Sequence, residues 1–516
     1  MSRQLFPERK TDSVTIQTLY LLSPEILLVI AALAIYLGGA FLPEGRKPVR
    51  LAMAAILAAA LVLGLTRYEG IHFGPLMLDQ LATATRWLAL VFGALLLPMA
   101  VRGIREPHGS EYVGTFLLAL VGLMLAGSAD ELVLLFLGLE LISIPTYILL
   151  YLGRGDAAAR EATAKYFFLS LLASALLLYG FSFLYGATGT TELAGIRDHL
   201  SAVGAKNGAA GRLVKIAIVL IVAGLGFRIT AVPFHFYAPD VYQGTSHANA
   251  ALLAILPKVA GMVVLLRIVA GAMPNLAGEA CRLLLILALA SMTFGNVVAL
   301  WQNHLRRLMA YSSIAHTGYL LLGLAAGLAA VPGGNGWDGL TAVLFYLAVY
   351  AAATLGTFAA FAYLGRDERP LEAVEELTGL GRTRPLAALA LGGFMFSLTG
   401  IPPLAGFWGK LAVFGSALGV GAGNAVSPMG LWLTVITVAA VVNSAISAAY
   451  YLRIVSTMYF RAPLGTPRAE GGPAAAWTAG ICAVLVLLLG LYCAPLWSVA
   501  ADVACPATIA VPVEGR

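Results

Sequence analysis

Long apolar runs, separated by short clusters of Arg, Gly and Pro, fill nearly the whole sequence. A helix needs about 20 apolar residues to cross a ~30 Å hydrocarbon core. Runs of that order recur from Leu19 to Ala500. Their apolar positions are continuous rather than alternating, which predicts helices and argues against a membrane β-barrel. About fourteen spans follow: 19–42, 51–66, 86–101, 113–127, 132–152, 162–185, 213–230 with a continuation to 242, 247–270, 282–301, 305–324, 340–363, 385–418, 431–459 and 476–499. The predicted fold class is an all-α polytopic membrane protein. The polar start MSRQLFPERKTDSVTIQ precedes a stretch too long for a removable signal peptide and without a small-residue cleavage site, so that stretch reads as the first span.

Two of these spans are interrupted. The seventh reads LIVAGLGFRITAVPFHFYAPDVYQG and the twelfth LGGFMFSLTGIPPLAGFWGKL. Proline removes a backbone donor and clashes with the preceding turn. In lipid, the freed carbonyls are tolerated only where protein or a water-filled cavity satisfies them. Breaks at matching positions of two halves point to an inverted-repeat transporter. Here they lie five spans apart, which predicts two five-helix repeats, helices 4–8 (residues 113–271) and 9–13 (residues 280–460). Residues 1–112 would carry the polar start and helices 1–3, and residues 461–516 helix 14 and a tail.

Composition agrees: 60% of residues are hydrophobic and 11% charged, outside the range of soluble domains. The loops after odd-numbered spans carry Arg46, Lys47, Arg50, Arg102, Arg105, Arg154, Arg160, Arg306, Arg307, Arg366, Arg369, Arg382, Arg384, Arg461 and Arg468. The opposite loops are poorer, with Arg3, Arg9, Lys10, Arg67, Arg197, Lys206 and Arg212. By the positive-inside rule both termini face away from the cytoplasm. The net charge of +6 fits that bias and calls for no nucleic-acid partner. Cys281, Cys482, Cys493 and Cys505 are scattered without a CxxC, which argues against an iron–sulfur cluster or covalent haem. No GxGxxG follows a predicted strand. Segments 187–211, VPGGNGWDG and GTPRAEGGPAAA read as linkers. The charged stretch DERPLEAVEELTGLGRTRP reads as a solvent-exposed amphipathic helix carrying Glu372, Glu375 and Glu376.

Against this background four ionisable residues stand deep in apolar runs: Glu140, Lys165, Lys258 and Lys410. A charge near the bilayer centre costs roughly 2.5–3.5 kcal/mol even on the lenient scale, so several in one chain point to a proton or ion path. Arg228 and Lys410 also lie beside the two breaks. A relay lysine must hold and release a proton; burial favours release and a nearby carboxylate opposes it. Arginine stays charged, so Arg228 reads as a fixed charge tuning Glu140 while Lys165 or Lys258 carries the proton. His316 and His235 are further relay candidates, since imidazole titrates near 6.5. Each has a plainer reading. Glu140 could join helices by hydrogen bonding, Lys165 could snorkel to the interface, the histidines could be satisfied interior groups, and Asp240 could fix a loop. The Arg306–Arg307 pair reads as an orientation signal.

The run REATAKYFFLSLLASALLLYGFSFLYG, the segment VPFHFYAPDVYQG, the stretch HLRRLMAYSSIAHTGYLLLG and the hairpin SLTGIPPLAGFWGK closely resemble the subunit N family of bacterial proton-pumping NADH:quinone oxidoreductase, complex I. The resemblance covers residues 19–459. It implies a fourteen-helix membrane-arm subunit of the bacterial inner membrane, each repeat contributing a half-channel, with protons moved in response to quinone reduction elsewhere. It implies that this chain binds no cofactor: NADH, FMN, iron–sulfur clusters and quinone belong to partner subunits of the membrane and peripheral arms. By the same resemblance Glu140 matches the family's fifth-helix glutamate, and Lys165, Lys258 and Lys410 its sixth-, eighth- and twelfth-helix lysines. Arg228 stands where the family usually has a seventh-helix lysine, which puts its relay role in doubt. The alternatives are an Mrp-type Na+/H+ antiporter subunit, a membrane subunit of an energy-converting hydrogenase, or a scaffold that only spaces other pumping subunits.

Overall fold

The structure, a computed structural model, describes residues 18–39, 41, 47–66, 71–101, 104, 108–203, 209–330, 337–365, 371–423, 427–463 and 471–504. The polar start, Cys505, most of the two Gly/Pro-rich linkers and the loop cations Arg3, Arg9, Lys10, Arg46, Arg67, Arg102, Arg105, Lys206, Arg366, Arg369 and Arg468 lie outside the described residues.

Every predicted span contains a helix or a broken pair of helices. The first half of the chain forms α1 (Ser23–Gly39), α2 (Lys47–Leu65), α3 (Gln80–Ala100), α4 (Gly109–Ser128), α5 (Leu132–Gly153), α6 (Ala157–Thr188), α7 (Leu193–Val203), α8 (Ala209–Arg228) and α9 (Ala238–Gly244). The rest forms α10 (His247–Leu266), α11 (Ala277–Ala299), α12 (Leu305–Ala329), α13 (Gly339–Leu364), α14 (Leu380–Thr383), α15 (Pro385–Thr399), α16 (Ala405–Gly423), α17 (Pro428–Phe460), α18 (Gly472–Leu491) and α19 (Ala494–Ala504). Among the described residues, 11 helices are long and apolar enough to cross a membrane, while Ser23–Gly39 and Pro385–Thr399 are shorter apolar helices. Helix α6, at 32 residues, would measure about 48 Å at 1.5 Å per residue, so its ends project beyond the hydrocarbon. Asp156 starts it by accepting from the Ala159 N–H at 2.9 Å, and Gly189 ends it at φ 74°, a conformation glycine adopts without a Cβ clash.

Helix α10 is the axis of the fold. With its π-helical continuation to Ala272 its apolar span is wholly buried, as expected of a helix that is apolar all round. It packs against α4, α5, α8, α12 and α13. Helix α6 lies along α8, α11 along α12, and α13 along α18. Hydrogen bonds meet the backbone groups freed at each break. After α8, the Phe227 carbonyl accepts from Thr230 N and the Tyr237 hydroxyl, and Ile229 O accepts from the Thr317 hydroxyl at 2.5 Å. After α15, Gly400 at φ 93° lets its own N–H and that of Ile401 return to Phe396 O. Thr230 holds φ 61°, costly for a β-branched residue.

Several expectations need correction. Segment 187–211 is not only a linker, because it contains α7. An antiparallel hairpin, β1 (Ile71–Phe73) with β2 (Leu76–Leu78), precedes α3; three-residue strands are too short for any periodic signal. The run 476–499 is not one helix: it divides at Tyr492 into α18 and α19, and Pro495, three residues later, fits only the first turn of a new helix. The acidic stretch does not form an exposed amphipathic helix. Val374–Leu377 is a single 3-10 turn whose Val374 and Leu377 are buried, and Leu305 N donates to Glu372 O at 2.7 Å and Val374 N to Asn303 O at 3.0 Å. This segment is clamped onto the start of α12.

Candidate functional site

The polar centre of the first half is built where α5, α6 and α8 meet. Arg228, the last residue of α8 and only 3% exposed, donates from Nη2 to Glu140 Oε1 at 2.7 Å. Ser174 on α6 donates to the same oxygen at 2.5 Å. Arg228 Nη1 also reaches Leu139 O at 3.1 Å and the Ser143 hydroxyl. The guanidinium therefore spans a full turn of α5, a geometry its planar fork provides and an ammonium does not. Glu140 is 22% exposed at its side chain and faces the outside of this chain in part.

A second polar centre runs through the protein's middle. Lys258, on α10 and 1% exposed, donates to Ser313 O and Oγ, both at 2.6 Å, and to the Tyr350 hydroxyl at 3.3 Å. Its Nζ also lies 4.6 Å from the Tyr350 ring centre. No carboxylate pairs with it among the described residues. His316 lies 5.1 Å from that ring, centre to centre. It bonds the Tyr346 hydroxyl through Nδ1 at 2.5 Å and the Tyr451 hydroxyl through Nε2 at 3.0 Å, while Tyr451 bonds Ser312. Lys410, on α16, donates to Thr399 O at 2.9 Å and Ser444 Oγ at 3.0 Å. Its Nζ stands 5.0 Å from the Tyr319 ring centre, and that ring is 5.8 Å from His316. A lysine thus caps the carbonyl freed by the second break. Lys258, His316 and Lys410 form one buried line with hydroxyls and phenol rings between them, and unlike Arg228 both lysines can give up a proton.

The remaining candidates fall elsewhere. Lys165 is not deep in the protein: 40% exposed, it pairs with Asp240 and Glu161, each at 2.8 Å. Its apolar neighbours Phe167 and Phe168 lie on the exposed side of α6. Asp240 also pairs with Arg307 at 2.6 Å, so Arg307 is part of an ion cluster tying α6, α9 and α12 together. His235, in the segment between α8 and α9, packs edge-on against Phe294 at 4.6 Å and makes no hydrogen bond to the line through His316. Two buried ion pairs escaped the sequence reading: Arg86 with Glu25 at 2.6 Å, joining α3 to α1, and Arg267 with Asp79 at 2.8 Å. A lone Glu in the first apolar run and a lone Arg in the third were the available signals. Arg306 is buried and pairs with Glu372 at 2.8 Å. Among the described residues no cluster of His, Cys, Asp or Glu could hold a metal ion.

Broken helices around buried, carboxylate-free lysines define the antiporter-like class of polytopic membrane proteins. Comparison with known proteins agrees. Residues 129–437 match the family described as NADH:quinone oxidoreductase/Mrp antiporter, TM. NADH-quinone oxidoreductase subunit N of Paramagnetospirillum magneticum is 36% identical over 484 residues, 92% of this chain and 94% of the relative. A chain of respiratory complex I from Thermus thermophilus, solved with bound aureothin, is 34% identical, with 93% of this chain and 99% of that chain covered and a TM-score of 0.76. A chain of the Mrp complex from a Dietzia species is 23% identical over 96% of this chain and 98% of that one, with a TM-score of 0.78, a likeness of fold alone. The chain belongs to the NADH-quinone oxidoreductase subunit N family.

Proposed function

We propose that this chain is a proton-translocating membrane-arm subunit of a bacterial NADH:quinone oxidoreductase. The observation that carries the reading is the buried line from Lys258 through His316 to Lys410. Two lysines held by neutral oxygens pay the desolvation cost of a charge without an ion pair, an arrangement that packing alone does not need. Glu140, fixed to Arg228, sets the charge at the other end of the subunit. Arg228 is a static element, and Lys165 acts at the surface with Asp240. His235 remains a candidate carrier in the broken segment.

The reading extends to the whole subunit. It has fourteen crossings, the α8/α9 and α15/α16 pairs counting as one each, arranged as inverted repeats over residues 113–271 and 280–460. It lies in the inner membrane with both termini on the periplasmic side and the Arg-rich loops in the cytoplasm. NADH, FMN, iron–sulfur clusters and quinone are bound by partner subunits, with which its lipid-level faces pack.

The test is NADH oxidation and NADH-driven proton uptake in inverted membrane vesicles, wild type against Glu140→Gln and Lys410→Met. Both activities falling together in an assembled complex supports the reading. Unaltered NADH oxidation with loss of Na+/H+ exchange alone would replace it with an Mrp-type antiporter. Unaltered pumping would leave a scaffold.

A further inference from the structure

The short helix α9 separates two polar regions. On its outer side a cavity of about 250 Å³ is lined by Glu161, Lys165, Asp240, Gln243 and Gly244. On its inner side stands Tyr242, 0% exposed, between two residues that line the cavity. Its ring lies 6.3 Å from that of Phe358. Its hydroxyl lies beside Ser313 but falls short of full hydrogen-bond geometry.

Ser313 makes that gap significant. A serine hydroxyl has two acceptor positions and one proton to donate. The Ser313 oxygen already accepts from Lys258 Nζ at 2.6 Å and from the Tyr350 hydroxyl at 2.9 Å, so its own proton remains to be placed. Thr354, one helical turn from both Tyr350 and Phe358 on the α13 face, likewise has a buried hydroxyl without a partner. Buried polar groups of native proteins are seldom left unpaired, and ordered water commonly supplies the partner.

We propose that Tyr242 is a proton carrier between the cavity outside α9 and Lys258, its hydroxyl joined to Ser313 by a short movement of α9 or by water. The inference rests on the proton-translocation reading above. The transfer balances. A proton arriving in the cavity as hydronium adds to the Tyr242 oxygen, leaving water behind, as the hydroxyl's own proton passes to Ser313 Oγ. Ser313 passes its proton to the neutral Lys258 amine, which in that state has two N–H groups and turns its lone pair to Ser313 Oγ in place of the third N–H contact, and both hydroxyls end as they began.

The experiment uses the assembled complex in inverted vesicles, with Tyr242→Phe, Ser313→Ala, the double variant and Lys410→Met. Tyr242→Phe lowers NADH-driven proton uptake by about a hundredfold or more, the range a positioned proton-transfer group contributes, and the double variant is no slower than the slower single one. Wild-type uptake in Tyr242→Phe, or independent multiplying losses in the double variant, overturns the proposal. Should Tyr242→Phe fail to assemble, difluorotyrosine at position 242 keeps the ring and hydroxyl: a displaced pH profile of uptake supports the carrier, and an unmoved profile overturns it. Lys410→Met separates the two readings. If it pumps normally, the translocation reading fails; if it is impaired while Tyr242→Phe is not, only the role of Tyr242 fails.

Discussion

Arg228 and Lys410 stand at the two helix breaks but present different chemistry. Arg228 is pinned by a carboxylate, two serines and a carbonyl, whereas Lys410 meets only neutral oxygens. Arg228→Ala leaves Glu140 without its partner; losing one member of a buried pair costs roughly 3–5 kcal/mol, reduced here by the partial exposure of Glu140. The expected outcome is a complex that melts earlier and pumps less, read from thermal denaturation and vesicle proton uptake; undiminished pumping would remove the tuning role. Arg228→Lys keeps the charge but loses the fork, and should pump at intermediate rates. The sequence made Glu140, Lys258 and Lys410 legible because a charge inside an apolar run stands out by type alone. For Lys165 the same signal left both readings open, relay group and interfacial lysine, because a run of apolar neighbours does not distinguish a buried face from an exposed one. Tyr242 was illegible, since only the unfinished bonding of Ser313 singles it out.

At the scale of elements, the spans were readable from continuous apolarity and the breaks from paired prolines. The hairpin, α7 and the 371–377 clamp were not, being short and held by contacts from distant sequence. The helix starts carry their own tests. Asp156 caps α6, and Asp156→Ala should cost about 1 kcal/mol, seen as a lower melting temperature of the detergent-solubilised complex. Partial burial raises the Asp156 carboxyl, but the Ala159 N–H and Arg154 outweigh it and hold the group below its ordinary value. Its contribution is therefore present above the ordinary carboxylate range and is lost only as pH falls through the lowered value. The Glu25–Arg86 pair joins α1 to α3 within the core. Glu25→Ala alone should destabilise by about 3–5 kcal/mol, while Glu25→Met with Arg86→Met should recover most of that loss. Equal losses in the single and double variants would mean the pair does not act as a unit.

Across the whole molecule, the clamp over the start of α12 also reaches the first half of the chain, because Glu372, besides pairing with Arg306, lies 3.9 Å from Arg154 at the end of α5. The bridge between His304 and Ala373 keeps Glu372 against Arg306. Burial, reinforced by Arg306, pushes the His304 imidazole down to about 4. The folded state therefore resists a proton that the open state accepts. The clamp is fully stable above about pH 6.5, the ordinary imidazole value, and weakens as pH falls toward about 4. The protection factors of the Leu305 and Val374 amides, exchange rates corrected for their intrinsic pH dependence, should fall across that window; protection unchanged from pH 7 to pH 5 would exclude the linkage. Finally, α10 has no face for lipid, and this bears on how the subunit is made. A helix carrying Lys258, and running on into Arg267, must leave the translocation machinery before α12 and α13, which shelter it, have been synthesised. Its residence in the bilayer is provisional until those later helices arrive, so a chain truncated after α10 should be left for quality-control proteases rather than accumulate as a half-subunit.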